Sequence, residues 1–129
     1  MKHEEEHIQC DFIKWFRMQY PSELIFAIPN GGKRNMLEAV RLKRQGVIAG
    51  VPDLFIAKSN EKYNGLFIEM KSEKGKKSPN QIAISNTLEI KGYKVEFCNS
   101  LSNAIKQTKD YFNNSENKRL TIDDKYFGR

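Results

Sequence analysis

Two short β-like runs, residues 53–57 and 66–71, stand on either side of a polar turn at residues 58–64, and they constrain this chain more than any other feature. A hairpin centred near Glu61 sets Ala57 against Gly65, Phe55 against Phe67 and Asp53 against Glu69. Strand alternation carries Lys71 onto the same face as Glu69. A slip of one residue in register would turn Glu69 and Lys71 away from Asp53, so the pairing predicts a definite clustering of charge.

The flanking segments alternate with these strands. Residues 4–19 place Ile8, Phe12, Trp15 and Phe16 at helical spacing, which makes Trp15 a core residue and not a platform for bases. The helix ends before Pro21, and residues 24–28 read as a strand. Pro29-Asn30-Gly31-Gly32 turns the chain into a second helix at residues 35–45, where Met36, Leu37 and Val40 share a face and Gly46 is the stop. Ser78-Pro79-Asn80-Gln81 opens a third helix ending at Gly92. Residues 93–98 follow that crossover as a strand able to pair in parallel, and residues 100–112 form a last helix. The expected architecture is α/β, a small mixed sheet flanked by helices, in one domain at residues 1–112. Residues 113–129 are a polar tail read equally as helix, docking arm or disordered segment.

Composition narrows the partners. With 129 residues, 39% of them hydrophobic and 29% charged, the chain is long enough for its own core. No apolar run approaches the roughly 20 residues of a membrane span, and the opening run with Glu4, Glu5 and Glu6 is too acidic for a signal peptide. Cys10 and Cys98 read as small core residues of a reduced, cytoplasmic protein. With His3 and His7 they match no common zinc spacing. The +6 charge and pI near 9.3 favour a polyanion such as nucleic acid. The basic residues cluster at Lys33-Arg34, at Arg41, Lys43 and Arg44, and at Lys71, Lys74, Lys76 and Lys77.

Two acids and a lysine on one sheet face suit phosphodiester hydrolysis. Hard carboxylate oxygens hold Mg²⁺ or Mn²⁺ with positions left for water and a phosphate oxygen. Lys71 then orients or deprotonates the attacking water, or stabilises the growing charge, and the sequence leaves these roles open. The plainer reading of the same residues is a solvated sheet face with Lys71 as an ion-pair partner.

Gly50-Val51-Pro52-Asp53-Leu54 followed by Ile68-Glu69-Met70-Lys71 resembles the PD-(D/E)xK nuclease signature. Glu5 through Gln9, Ile28 through Gly32, Leu42-Lys43 to Gly46, Ala49 through Asp53 and Ser78-Pro79-x-Gln81, in that order, closely resemble the VRR-NUC family of virus-type replication-repair nucleases. The resemblance implies a restriction-endonuclease-like fold with Asp53, Glu69 and the main-chain carbonyl of Met70 as metal ligands and Lys71 as the catalytic lysine. It also implies an acid from the first helix, Glu5 (which shares a helix face with Gln9) or its neighbour Glu6, and a place near the site for Gln81. Gln81 equally completes a capping box with Ser78. By the same resemblance Asn30, Gly31, Gly32, Lys33 and Arg34 form a loop against DNA phosphate, whereas Lys74, Lys76 and Lys77, following the catalytic lysine, are read equally as a solvated loop or as contacts to the phosphate backbone. The implied activity is a Mg²⁺- or Mn²⁺-dependent DNA endonuclease acting on branched, Holliday-junction-like or repair intermediates as a homodimer, like stand-alone members found in phages and prophages. The alternative is a non-catalytic nucleic-acid-binding module that keeps the fold.

Overall fold

The computed structural model describes the backbone of residues 2–29 and 35–126, and the side chains of residues 4–29 and 35–113. In chain order the elements are α1 (Lys2–Gln19), β1 (Ile25–Ala27), α2 (Met36–Arg44), β2 (Leu54–Ile56), β3 (Leu66–Met70), α3 (Pro79–Ile90), β4 (Lys94–Cys98) and α4 (Leu101–Tyr126). Local chemistry sets their limits. Asn35 caps α2 by accepting from the Glu38 N–H at 2.7 Å, and Gly46, at φ 104°, follows its last turn. Ser78 caps α3 in a full capping box with Gln81, and Pro79 supplies a pre-set φ in the first turn. The polar run at residues 113–126 continues α4 as helix.

The strands form one four-stranded sheet in the order β1-β2-β3-β4. β1 and β2 are antiparallel, as are β2 and β3, while β4 joins β3 in parallel after the α3 crossover. The β2–β3 register pairs Leu54 with Ile68, Phe55 with Phe67 and Ile56 with Leu66. That is the register predicted from the hairpin, and it leaves Asp53, just before β2, on line with Glu69.

The two faces of the sheet differ in kind. Under α1 and α4 lies the core, with Phe12 and Phe16 from α1, Leu54, Ile56, Leu66, Ile68 and Met70 from β2 and β3, and Cys98, Ala104 and Tyr111 from β4 and α4. Each large apolar side chain buried here contributes roughly 1.5–3 kcal/mol. Trp15 packs against this core as expected, 5.7 Å from Phe12 between ring centroids. Tyr20 stacks on Phe112 at 4.1 Å, and the Tyr111 hydroxyl donates to the Lys58 carbonyl at 2.6 Å, which pins α4 to the β2–β3 turn. The other face carries Asp53 and Glu69 and meets α3 along β4.

One expectation is corrected. Cys98 is a core residue, with burial pushing its thiol up to about 12, but Cys10 is exposed on the outer side of α1. The helix at α2 forms, yet its shared apolar face points outward: Met36 and Leu37 are each 80% exposed, and no residue of α2 is buried against the described residues. Helical spacing reports which residues share a face, not what covers it.

The loop into β2 is held by close backbone approach. Gly50 has φ 97°, and a Cβ there would lie 2.7 Å from the carbonyl carbon and oxygen of Asn80 at the start of α3. Gly46 has φ 104° but open space around it. Gly46→Ala is therefore expected to cost about 1 kcal/mol, through backbone strain alone. Gly50→Ala must also move Asn80 and is expected to cost at least about 2 kcal/mol. Urea denaturation of the two variants checks this; equal losses would refute the role given to the Gly50–Asn80 contact.

Candidate active site

Asp53 and Glu69 reach the open sheet face from neighbouring strand ends, because each lies an even number of residues from the paired Phe55 and Phe67. One Asp53 oxygen, Oδ2, accepts from the Met70 N–H at 2.9 Å, which fixes the side chain across the strand gap. Pro52 beside it is fully buried, so the short approach to β2 is held on both sides. Glu69 is only 5% exposed. Its Oε2 accepts from Gln81 Nε2 at 2.9 Å, and the Asp53 backbone also donates to its carboxylate.

Gln81 works at both ends of its amide. Oε1 accepts from the Ser78 N–H at 2.9 Å, closing the capping box, and Nε2 is thereby directed at Glu69. The two readings of Gln81 given by the sequence, helix cap and site residue, are one arrangement.

Glu5 approaches from α1, its Oε2 accepting from the Ser72 N–H at 3.1 Å. Its charge is felt at both Asp53 and Glu69, as is the opposing charge of Lys71. Burial is the largest cause raising the Glu69 carboxyl to about 8, with Asp53 next, Lys71 opposing and Glu5 adding a smaller increase. Burial also lifts Asp53 above its ordinary range; the Met70 N–H and Lys71 oppose, and Glu5 adds to the rise. Two carboxyls raised together in one niche, with a lysine opposing the rise, are the kind of electrostatic perturbation that clusters at functional sites.

One further observation points the same way. Among the described residues three side-chain oxygens are buried without a hydrogen-bond partner: Glu61 Oε2 in the β2–β3 turn, Ser72 Oγ after β3, and Glu69 Oε1 in the site itself. A buried carboxylate oxygen left without a donor costs free energy unless a cation or water meets it. The carboxylates of Asp53 and Glu69, on facing strand ends, are hard oxygen donors of the kind that suits a divalent ion such as Mg²⁺ or Mn²⁺. No group of three or more His, Cys, Asp or Glu able to hold a metal occurs among the described residues, so main-chain carbonyls and water would have to complete any coordination shell.

The remaining candidates are dispersed. Lys74, Lys76 and Lys77 are all exposed on the loop after β3, and Lys77 lies over the Phe97 ring, 4.3 Å from its centroid. His7 is exposed. Asn30, Gly31, Gly32, Lys33 and Arg34 lie outside the described residues. Ser72 went unnoticed in the sequence. Its only signal is its place next to Lys71, since a serine after a strand reads as an ordinary turn residue.

A four-stranded mixed sheet bearing Asp53, Glu69 and Lys71 at paired strand ends defines a nuclease-type fold. The VRR-NUC domain model matches residues 1–102, and the chain belongs to this family of nucleases. A solved structure described as a VRR_NUC domain protein superposes with a TM-score of 0.73 at 26% identity, covering 87% of this chain and 90% of that one. A search of curated proteins found no match.

The raised carboxyls predict how stability depends on pH. The folded state holds the Glu69 proton up to about 8, while the unfolded chain releases it near 4.5. Between these values the folded state binds more protons, so metal-free protein should lose stability as pH rises, by on the order of 3 kcal/mol. Melting in EDTA from pH 5 to pH 8 is expected to show a falling Tm, and Glu69→Gln to remove most of the slope. An unchanged slope in that variant would refute the assignment.

Proposed function

We propose that the protein is a metal-dependent DNA endonuclease, with Asp53, Glu69, Lys71 and Glu5 as its working residues. The observation that carries this reading is the buried, unmatched Oε1 of Glu69 beside Asp53 and within the field of Lys71. Asp53, Glu69 and the main-chain carbonyl of Met70 would hold Mg²⁺ or Mn²⁺. When bound, the ion lowers the pKa of its water and offsets charge on the phosphorane.

The residues of the chain supply the rest. The Met70 N–H and Gln81 fix the two carboxylates in advance, so no reorganisation is needed when substrate arrives. Lys71 orients the attacking water and takes up charge as the phosphate oxygens become more negative. Glu5 ties α1 to the loop after Lys71 and so holds that lysine's backbone in place. Phosphates approach the basic loop bearing Lys74 and Lys76, with Asn30, Gly31, Gly32, Lys33 and Arg34 as the second contact.

The substrate in this reading is branched DNA of the Holliday-junction or repair type, cut by a homodimer whose two sites act on paired strands. The outward apolar face of α2, with Met36, Leu37 and Val40 exposed, is a surface that association would cover.

Cleavage of a four-way junction with Mg²⁺ or Mn²⁺ tests the proposal. Asp53→Ala and Lys71→Ala are each expected to lower the rate by roughly 10²–10⁴-fold. Calorimetric titration should show Mn²⁺ binding lost in Asp53→Ala and kept in Lys71→Ala. Metal-independent DNA binding with no cleavage of any substrate would instead identify a binding module. For the dimer, light scattering should give twice the chain mass for the wild type and a monomer for Leu37→Asp. A monomeric wild type would remove that part of the reading.

A further inference from the structure

The sheet face that carries Asp53 and Glu69 also carries a band of aromatic rings that takes no part in the core. Phe26, Phe55 and Phe67 are register partners across β1, β2 and β3, and therefore share a face. Their ring centroids are 5.7 Å apart for Phe26 and Phe55, and 4.6 Å apart for Phe55 and Phe67. Tyr93, just before β4, extends the band, 5.4 Å from Phe67 and 6.1 Å from Phe55. Gly65 gives the Phe55 ring its room: a Cβ there would come within 2.7 Å of Phe55 Cε1. The core cluster beneath α1 and α4 faces the other way, while Val95, the register partner of Phe67, is buried on the band's own face at β4.

The described residues cover this band only in part. Phe26 is 43% exposed, and Phe55, Phe67 and Tyr93 are half-buried. On this face α3 packs along β4, at the far side from β1. Phe26 in particular gives up much of the burial that would let it stabilise the fold. Rings with a free face suit a flat ligand.

Position identifies that ligand. Phe55 and Phe67 stand two residues along the strands from Asp53 and Glu69, a separation of about 6.8 Å on the same face. A polynucleotide with one phosphate at the acids thus brings a neighbouring base over the rings. The chain's +6 charge complements a polyanion. A second copy seated on the band would instead cover the acids one row away and bar a polymeric substrate. Bases within an intact duplex are stacked on one another and cannot lie on a sheet.

We propose that Phe26, Phe55, Phe67 and Tyr93 form a stacking platform for an unpaired nucleotide next to the cleaved phosphate. The proposal rests on the nuclease reading for its substrate class, and it makes single-stranded character beside the cut a requirement for tight binding. Stacking on aromatic side chains is tolerant of sequence, so the platform would select for an unpaired base without choosing which one.

Phe26 is the residue to change, because it is the most exposed of the three phenylalanines. Binding is measured by fluorescence anisotropy with labelled oligothymidine and with a blunt duplex, in EDTA so that no cleavage occurs. Phe26→Ala and Phe26→Leu are expected to weaken oligothymidine binding about 5- to 100-fold, and more than they weaken duplex binding; Phe26→Trp is expected to retain it. A packing role alone would be rescued by leucine, so failure of leucine together with success of tryptophan separates stacking from structure. Circular dichroism melts confirm that each variant is folded. The proposal is overturned if Phe26→Leu binds oligothymidine as the wild type does. It is equally overturned if light scattering shows the Phe26 variants splitting a dimer while single-strand affinity stays unchanged. Wild-type cleavage with Mn²⁺ alongside unaltered Phe26→Leu affinity removes the platform and leaves the nuclease standing. Platform-dependent binding with no cleavage of any DNA does the reverse.

Discussion

Two carboxyl groups held side by side in a largely dry niche are the constraint around which this structure is organised. Placing Asp53 and Glu69 on facing strand ends costs stability, since burial and mutual repulsion both disfavour their charged forms. The surrounding fold offsets part of that cost with a backbone N–H on Asp53 and a glutamine amide on Glu69. Pairing of β2 and β3 alone brings the acids together. α1 brings Glu5, and α3 brings Gln81, so three layers of the molecule converge on one small volume. A local conflict sustained by contacts from so many elements belongs to function more than to folding.

The division of the sheet into two faces follows from the same pairing. Because side chains alternate, one register assigns Leu54, Ile56, Leu66, Ile68 and Met70 to the core and Phe55, Phe67 and Glu69 to the opposite side. The core face is covered by α1 and α4 and supplies the apolar burial. The other face is left partly bare, and it is where the acids, the lysine and the aromatic band lie. Stability and chemistry are thus separated by the thickness of a single sheet.

Much of this was legible in the sequence, and for particular reasons. The hairpin register could be read because a short polar turn between two β-branched and aromatic runs leaves few pairings that keep the apolar residues on one side. The helix limits at Asn35, Ser78, Gly46 and Gly92 were visible because caps and left-handed positions depend on local chemistry. Membership of the VRR-NUC family was visible because several motifs occurred in order. The outward turn of α2 was hidden: Met36, Leu37 and Val40 have the spacing of a core face, and only the tertiary arrangement shows that nothing among the described residues lies over them. The exposure of Cys10 was hidden for the same reason. Ser72 was invisible because what sets it apart is a buried, unmatched hydroxyl, a property of three-dimensional surroundings.

The amide of Gln81 is bonded at its oxygen by Ser78, the N-cap of α3, and at its nitrogen by a carboxylate on β3. Its orientation is therefore not free to serve one duty without the other. Rotating the amide by half a turn would set a donor against a donor at Ser78 and an acceptor against an acceptor at Glu69. Helix initiation and the aim of the Glu69 carboxylate are in this way coupled through one planar group, and loosening the first turn of α3 would be felt as a misaimed carboxylate before it was felt as an unfolded protein.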